Sequence, residues 1–114
     1  MRKRFAQRAV SVALGATVFI ALAATTPAGA SPTIVKIDNF AFSARRLTVK
    51  PGTTIVWENA DAIPHTVVST TKAFKSQALD TGDKFSFTFF SPGTYDYFCS
   101  LHPHMTGTIV GDAS

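Results

Sequence analysis

The sequence predicts an all-β fold, a small antiparallel sandwich or barrel, for the part of the chain that follows residue 30. Three observations predict it. Short runs of alternating apolar and polar residues recur, each bounded by turn residues, and helical periodicity is scarce. Eight of the ten Phe, both Tyr and the single Trp fall after residue 30, and they supply the large buried area that so small a domain needs.

Val35 and Ile37 alternate with Lys36 and Asp38 in a first strand. Segment 39–44 follows with Phe40 and Phe42, both expected in the core. Leu47 and Val49 alternate with Arg46, Thr48 and Lys50, and Pro51-Gly52 turns the chain. Residues 53–59 resume as a strand with Ile55 and Trp57 on one face and Val56 on the other. Residues 65–69 are a further strand candidate, whereas 70–80 reads as a loop with a helical turn at most. The clearest alternation is Lys84-Phe85-Ser86-Phe87-Thr88-Phe89, entered through Thr81-Gly82-Asp83 and left through Ser91-Pro92-Gly93. Residues 94–99 form the next strand and 106–110 a closing one.

Ahead of this domain, Arg2, Lys3, Arg4 and Arg8 precede an apolar run from Ala9 to Ala24, and Ala28-Gly29-Ala30 is a small-x-small cleavage signature. Residues 1–30 therefore read as a secretory signal peptide, and 31–114 as one exported, periplasmic or secreted domain with no membrane span of its own. Retention of the apolar run as an anchor is the alternative. The signal holds four of the eleven basic residues and no acid, so the domain balances seven bases against seven acids. The basic isoelectric point thus belongs to the export signal and supports no nucleic-acid partner.

Cys99 is the only cysteine, which leaves an exported domain without an internal disulfide and its thiol available to bind something. It opens the run Cys99-Ser100-Leu101-His102-Pro103-His104-Met105, and His65 lies upstream at the start of a strand candidate. Strand ends cluster at one pole of a sandwich, so His65 can meet the later run there. A thiolate, two imidazoles and a thioether form a soft ligand set suited to one copper ion cycling between Cu(I) and Cu(II), with a long, weak axial methionine contact. The predicted ligands are His65, Cys99, His102 and Met105.

Taken singly, His65 reads as an ordinary loop or core histidine and Met105 as core filler; their joint placement with the only cysteine is what points to a metal. Zinc held by Cys99 and all three histidines is the rival coordination, although His102 and His104 straddle Pro103 and would have to turn inward together. A thiol enzyme with His65 or His102 as base is the rival of a different class, and no oxyanion or substrate signature accompanies it. The prediction is a non-enzymatic blue-copper electron carrier. A periplasmic copper carrier or buffer, using the same ligands, is the alternative.

The chain resembles the cupredoxin family and, within it, the amicyanin and plastocyanin branch. The resemblance runs from Ile34 to Val110 and rests on Asp38-Asn39-Phe40-Ala41-Phe42, on 47–54, on Trp57-x-Asn59, on Pro64-His65-Thr66-Val67, on Phe85-x-Phe87 and on Pro92-Gly93-Thr94-Tyr95-x-Tyr97-x-Cys99. The Cys-x2-His-x2-Met spacing is similar to the short amicyanin loop. The resemblance implies a Greek-key β-sandwich, type-1 copper at His65, Cys99, His102 and axial Met105, and an Asn59 side chain that ties the two ligand loops together. It also implies a monomer passing electrons through His102. Its redox partner, a c-type cytochrome, dehydrogenase or oxidase, would dock on a small apolar patch made by Leu101, Pro103 and Ile63-Pro64. Leu101 and His104 stand where amicyanin has Pro and Phe.

Overall fold

A computed structural model describes residues 31–113, so the predicted signal peptide lies outside the described residues. Eight strands form in chain order: β1 Thr33–Asp38, β2 Ala41–Phe42, β3 Arg46–Val49, β4 Thr53–Asn59, β5 Val68–Ser69, β6 Lys84–Phe89, β7 Gly93–Cys99 and β8 His102–Gly111. They build two four-stranded sheets, β2-β1-β4-β6 and β3-β8-β7-β5. The all-β sandwich is as the sequence predicts.

Two ladders depart from a purely antiparallel reading, because β1 runs parallel to β4 and β3 parallel to β8. Alternation along one strand specifies which face is buried but not the direction of its neighbour. The chain crosses between sheets from β2 to β3 and back from β3 to β4, so strands of like direction become neighbours.

Alternation nevertheless chooses the core. Val35 and Ile37 of β1, Ile55 and Trp57 of β4 and Ile109 of β8 are fully buried between the sheets. Trp57 lies at the centre, with ring centroids 5.4 Å from Tyr97, 5.5 Å from Phe74 and 5.7 Å from Phe85. Phe74 comes from segment 70–80, which has no regular strand yet drives this one ring inward and is tied to the sheet by the Val68 to Lys75 bridge. Burial pushes the Tyr97 hydroxyl up to about 12. Tyr97 faces Gly107 across the β7–β8 ladder, and a Cβ on Gly107 would overlap the tyrosine ring. Only glycine admits that ring.

This apolar frame holds one pole of the sandwich open to polar chemistry. There β4 ends at Asn59, β7 ends at Cys99, and β8 begins at His102, with Cys99 and His102 paired across a two-residue turn at an irregularity in the ladder. The predicted strand at 65–69 is regular only over Val68–Ser69, and the closing strand starts earlier than expected, at His102.

Candidate metal centre

His65 is held by the backbone on both sides of its peptide. Its N–H donates to the Leu79 carbonyl at 3.1 Å, and its carbonyl accepts from the Leu79 N–H at 2.7 Å. Asn59 sets the loop leading to it: the side-chain amide donates to the carbonyls of Ile63 (2.9 Å) and Leu79 (2.8 Å), and its oxygen accepts from the Asp61 N–H. Asn59 thus fixes the His65 loop to segment 79. It does not reach the Cys99 loop.

The tie between the two ligand loops is made by Thr66. Its hydroxyl accepts from the Ser100 N–H at 2.6 Å, and its own N–H donates to Cys99 Sγ at 3.3 Å. The residue that follows a ligand on one loop therefore grips the residue that follows a ligand on the other.

Around Cys99 Sγ stand His65 Nδ1 at 3.7 Å and His102 Nδ1 at 3.6 Å. These three donor atoms lie within 4.8 Å of one another. Cys99 and His65 are fully buried, whereas His102 is partly exposed. Sulfur-to-nitrogen separations of this size match two imidazoles and a thiolate sharing one ion at bond lengths of about 2.0–2.3 Å. Burial pushes the Cys99 thiol up, but the Thr66 N–H and the two imidazoles outweigh it and bring the thiol down to about 6. The donor is accordingly a thiolate at neutral pH, the form a metal requires.

Asp61 supplies what the sequence did not announce. Its carboxylate meets His65 Nε2 at 2.7 Å and accepts the N–H groups of Asn39 (2.6 Å) and Phe40 (2.9 Å). The Phe40 N–H, together with those of Asn39 and His65, holds the Asp61 carboxyl at about 2 despite some burial. An ionised carboxylate only accepts, so His65 donates its Nε2–H to Asp61, and this bond fixes the ring with Nδ1 on the Cys99 side. Asp61 precedes His65 by four residues in an Asx turn begun by Asn59, and that turn is the one sequence signal that marks it.

Phe40 corrects an expectation. Phe42 is core, but Phe40 is half-exposed. Asn39 and Phe40 are the two central residues of the β1–β2 hairpin, with φ of 54° and 59°. Such a turn usually holds Asn-Gly, and a bulky residue in the left-handed region is strained by about 1–2 kcal/mol. The turn rotates the Phe40 ring out of the core and onto the metal pole, edge-on to His65 at 5.5 Å and to His102 at 5.0 Å.

Met105 is buried next to this pole, three residues beyond His102 on β8. His104 is exposed and stands outside the cluster of donors, so the zinc site of one cysteine and three histidines is not assembled. The set that is assembled, one buried thiolate between two Nδ1 donors, fits copper in chemistry and in number.

Comparison with known proteins agrees with this geometry. A profile of the cupredoxin-like domain matches residues 10–110. The chain is 36% identical over 95 residues to amicyanin-alpha of Methylorubrum extorquens, covering 79% of this chain and 80% of that protein. Among solved structures, it is similar to a purple cupredoxin from Nitrosopumilus maritimus with a TM-score of 0.67 and 31% identity, over 70% of this chain and 99% of that one. The Cu(I) form of an amicyanin variant matches with a TM-score of 0.67 and 34% identity, over 71% of this chain and 82% of that one. Sheet order, the convergence of His65, Cys99 and His102, and these likenesses lead to one assignment: the chain belongs to the cupredoxin-like family.

Proposed function

We propose that this protein is an exported electron carrier in which His65, Cys99 and His102 would hold one copper ion, with the Met105 thioether as a weaker fourth donor. The observation that carries the reading is the buried Cys99 sulfur set between two imidazole Nδ1 atoms at 3.6 and 3.7 Å. Copper bound there supplies reversible one-electron chemistry between Cu(I) and Cu(II).

The chain's own residues provide rigidity and a route outward. Asp61 fixes the His65 ring, the Thr66 N–H donates to Cys99 Sγ, and the β7–β8 ladder fixes Cys99 against His102. A donor set held this firmly changes little when charge is added or removed, which keeps the reorganisation cost of electron transfer low. His102 is the ligand that approaches the surface, beside exposed Leu101 and Pro103. That small apolar rim suits a brief contact with a redox protein such as a c-type cytochrome, a dehydrogenase or an oxidase, since transient redox interfaces are small. The domain works as a monomer, after removal of residues 1–30 on export to the periplasm or beyond, and transforms no substrate.

Burial of Cys99 favours this reading over a copper carrier or buffer. Hand-over by ligand exchange needs an incoming donor to reach the thiolate, and Cys99 exposes no surface. Voltammetry of the copper-loaded protein tests the choice. A reversible one-electron wave, with copper retained in both states, is expected. Release of copper on reduction to a copper-free acceptor protein would instead support the carrier.

A further inference from the structure

We infer that Phe40 is a lid over the metal pole, latched by Asp61, and that it controls access of outside molecules to the Cys99 sulfur without being a ligand. The inference concerns a positioning residue and rests, for its copper arm only, on the copper reading above. Three rings close the site on its outer side: Phe40 lies 5.5 Å from His65 and 5.0 Å from His102, and the two imidazoles lie 5.0 Å from each other. Behind the imidazole pair sits Cys99 Sγ, in contact with both Nδ1 atoms. His65 and Cys99 are completely buried, although the ring beside them is half-exposed.

The backbone beneath Phe40 indicates that this placement is selected for something other than stability. Phe40 has φ of 59° and buries only about half of its surface, so it keeps a strained conformation for little burial. What retains the turn is Asp61, whose carboxylate accepts both strained N–H groups, at 2.6 and 2.9 Å, and also meets His65 Nε2 at 2.7 Å. One carboxylate therefore sets the angle of the inner ligand and the position of the ring that covers it. Lid and ligand are latched together.

The test compares wild type with Phe40→Gly, Phe40→Tyr and Asp61→Asn. Glycine relieves the backbone strain and removes the ring, so the copper-free Phe40→Gly protein should melt no lower than wild type while its Cys99 reacts about tenfold faster with a disulfide reagent such as dithionitrobenzoate, the size expected from losing two edge-to-face ring contacts. Phe40→Tyr should restore the slow reaction, since it returns the ring. Asp61→Asn should speed the reaction too, because the latch loses a carboxylate oxygen. In the copper-loaded protein, Phe40→Gly should release Cu(I) to bathocuproine disulfonate faster by a similar factor with the visible spectrum unchanged. Equal thiol reactivity in wild type and a folded Phe40→Gly would overturn the lid. If wild type took up no copper, the copper assignment would fail while the thiol comparison still decided the lid.

Discussion

The two histidines of the centre are held in opposite ways. His65 is fully buried, its ring fixed by Asp61, its peptide paired twice with Leu79, and its loop pinned by Asn59. His102 is partly exposed at the first position of β8 and is placed by its ladder pairing with Cys99 and by contact with Phe40. The difference assigns roles. A buried ligand with polar partners on three sides anchors the site, and a ligand at the rim connects it to the outside.

The largest effects should come from emptying each position. His65→Gly and His102→Gly should both lose the native visible spectrum. Added imidazole should restore it for His102→Gly, whose vacancy opens to solvent, and not for His65→Gly, whose vacancy lies under Phe40, which Asp61 still holds through the Asn39 and Phe40 N–H groups. Equal rescue of both variants would erase the distinction between anchor and rim.

Next in size is the pH response of the copper-free protein. The Cys99 thiol, ordinarily at 9.0, is brought to about 6 in the fold by donors from both sides of the site. Its folded value is depressed, so the thiolate's contribution is fully present above 9 and is lost as pH falls through 6. Stability of the copper-free protein should therefore rise between pH 6 and 9, by at most a few kcal/mol at about 1.4 kcal/mol per unit. Denaturant titrations at several pH values check this, and Cys99→Ser should flatten the trend in that window.

The smallest effect isolates the scaffold on the His65 side. Asn59→Ala leaves the Ile63 and Leu79 carbonyls without their amide donor and the Asp61 N–H without its acceptor. A loss of about 2 kcal/mol is expected from buried groups left unpaired. Ser100→Ala, which removes the hydroxyl contact with Thr66 (2.8 Å) but keeps the Ser100 N–H bond to the same oxygen, should cost well under that. Comparable losses in the two variants would place the scaffold on both loops equally.

The same contrast marks what the sequence could reveal. Cys99, His102 and Met105 fall within seven residues, and His65 is the one other histidine outside that run, so the residue types alone pick out the candidates. The strands were legible because one face of each is buried, and Val35, Ile37, Ile55 and Trp57 follow the period of two into the core. Asp61 and Thr66 were not legible, because their roles depend on partners 21 and 34 residues away, Phe40 and Ser100, and no local pattern encodes such distances. Phe40 misled for a related reason: hydrophobicity argues for burial, but two consecutive left-handed residues turn the ring outward. The parallel pairings of β1 with β4 and β3 with β8 are likewise set by crossovers between sheets.

On the function proposed above, His65, Cys99 and His102 would hold one copper with the Cys99 sulfur as its strongest donor. Titration of the copper-free protein with Cu(II), followed by visible absorption, tests it most directly. One equivalent should produce an intense blue or purple thiolate-to-copper band that then saturates, and Cys99→Ser should give none. A colourless one-to-one complex of the wild type would show that the Cys99 thiolate does not bind the copper.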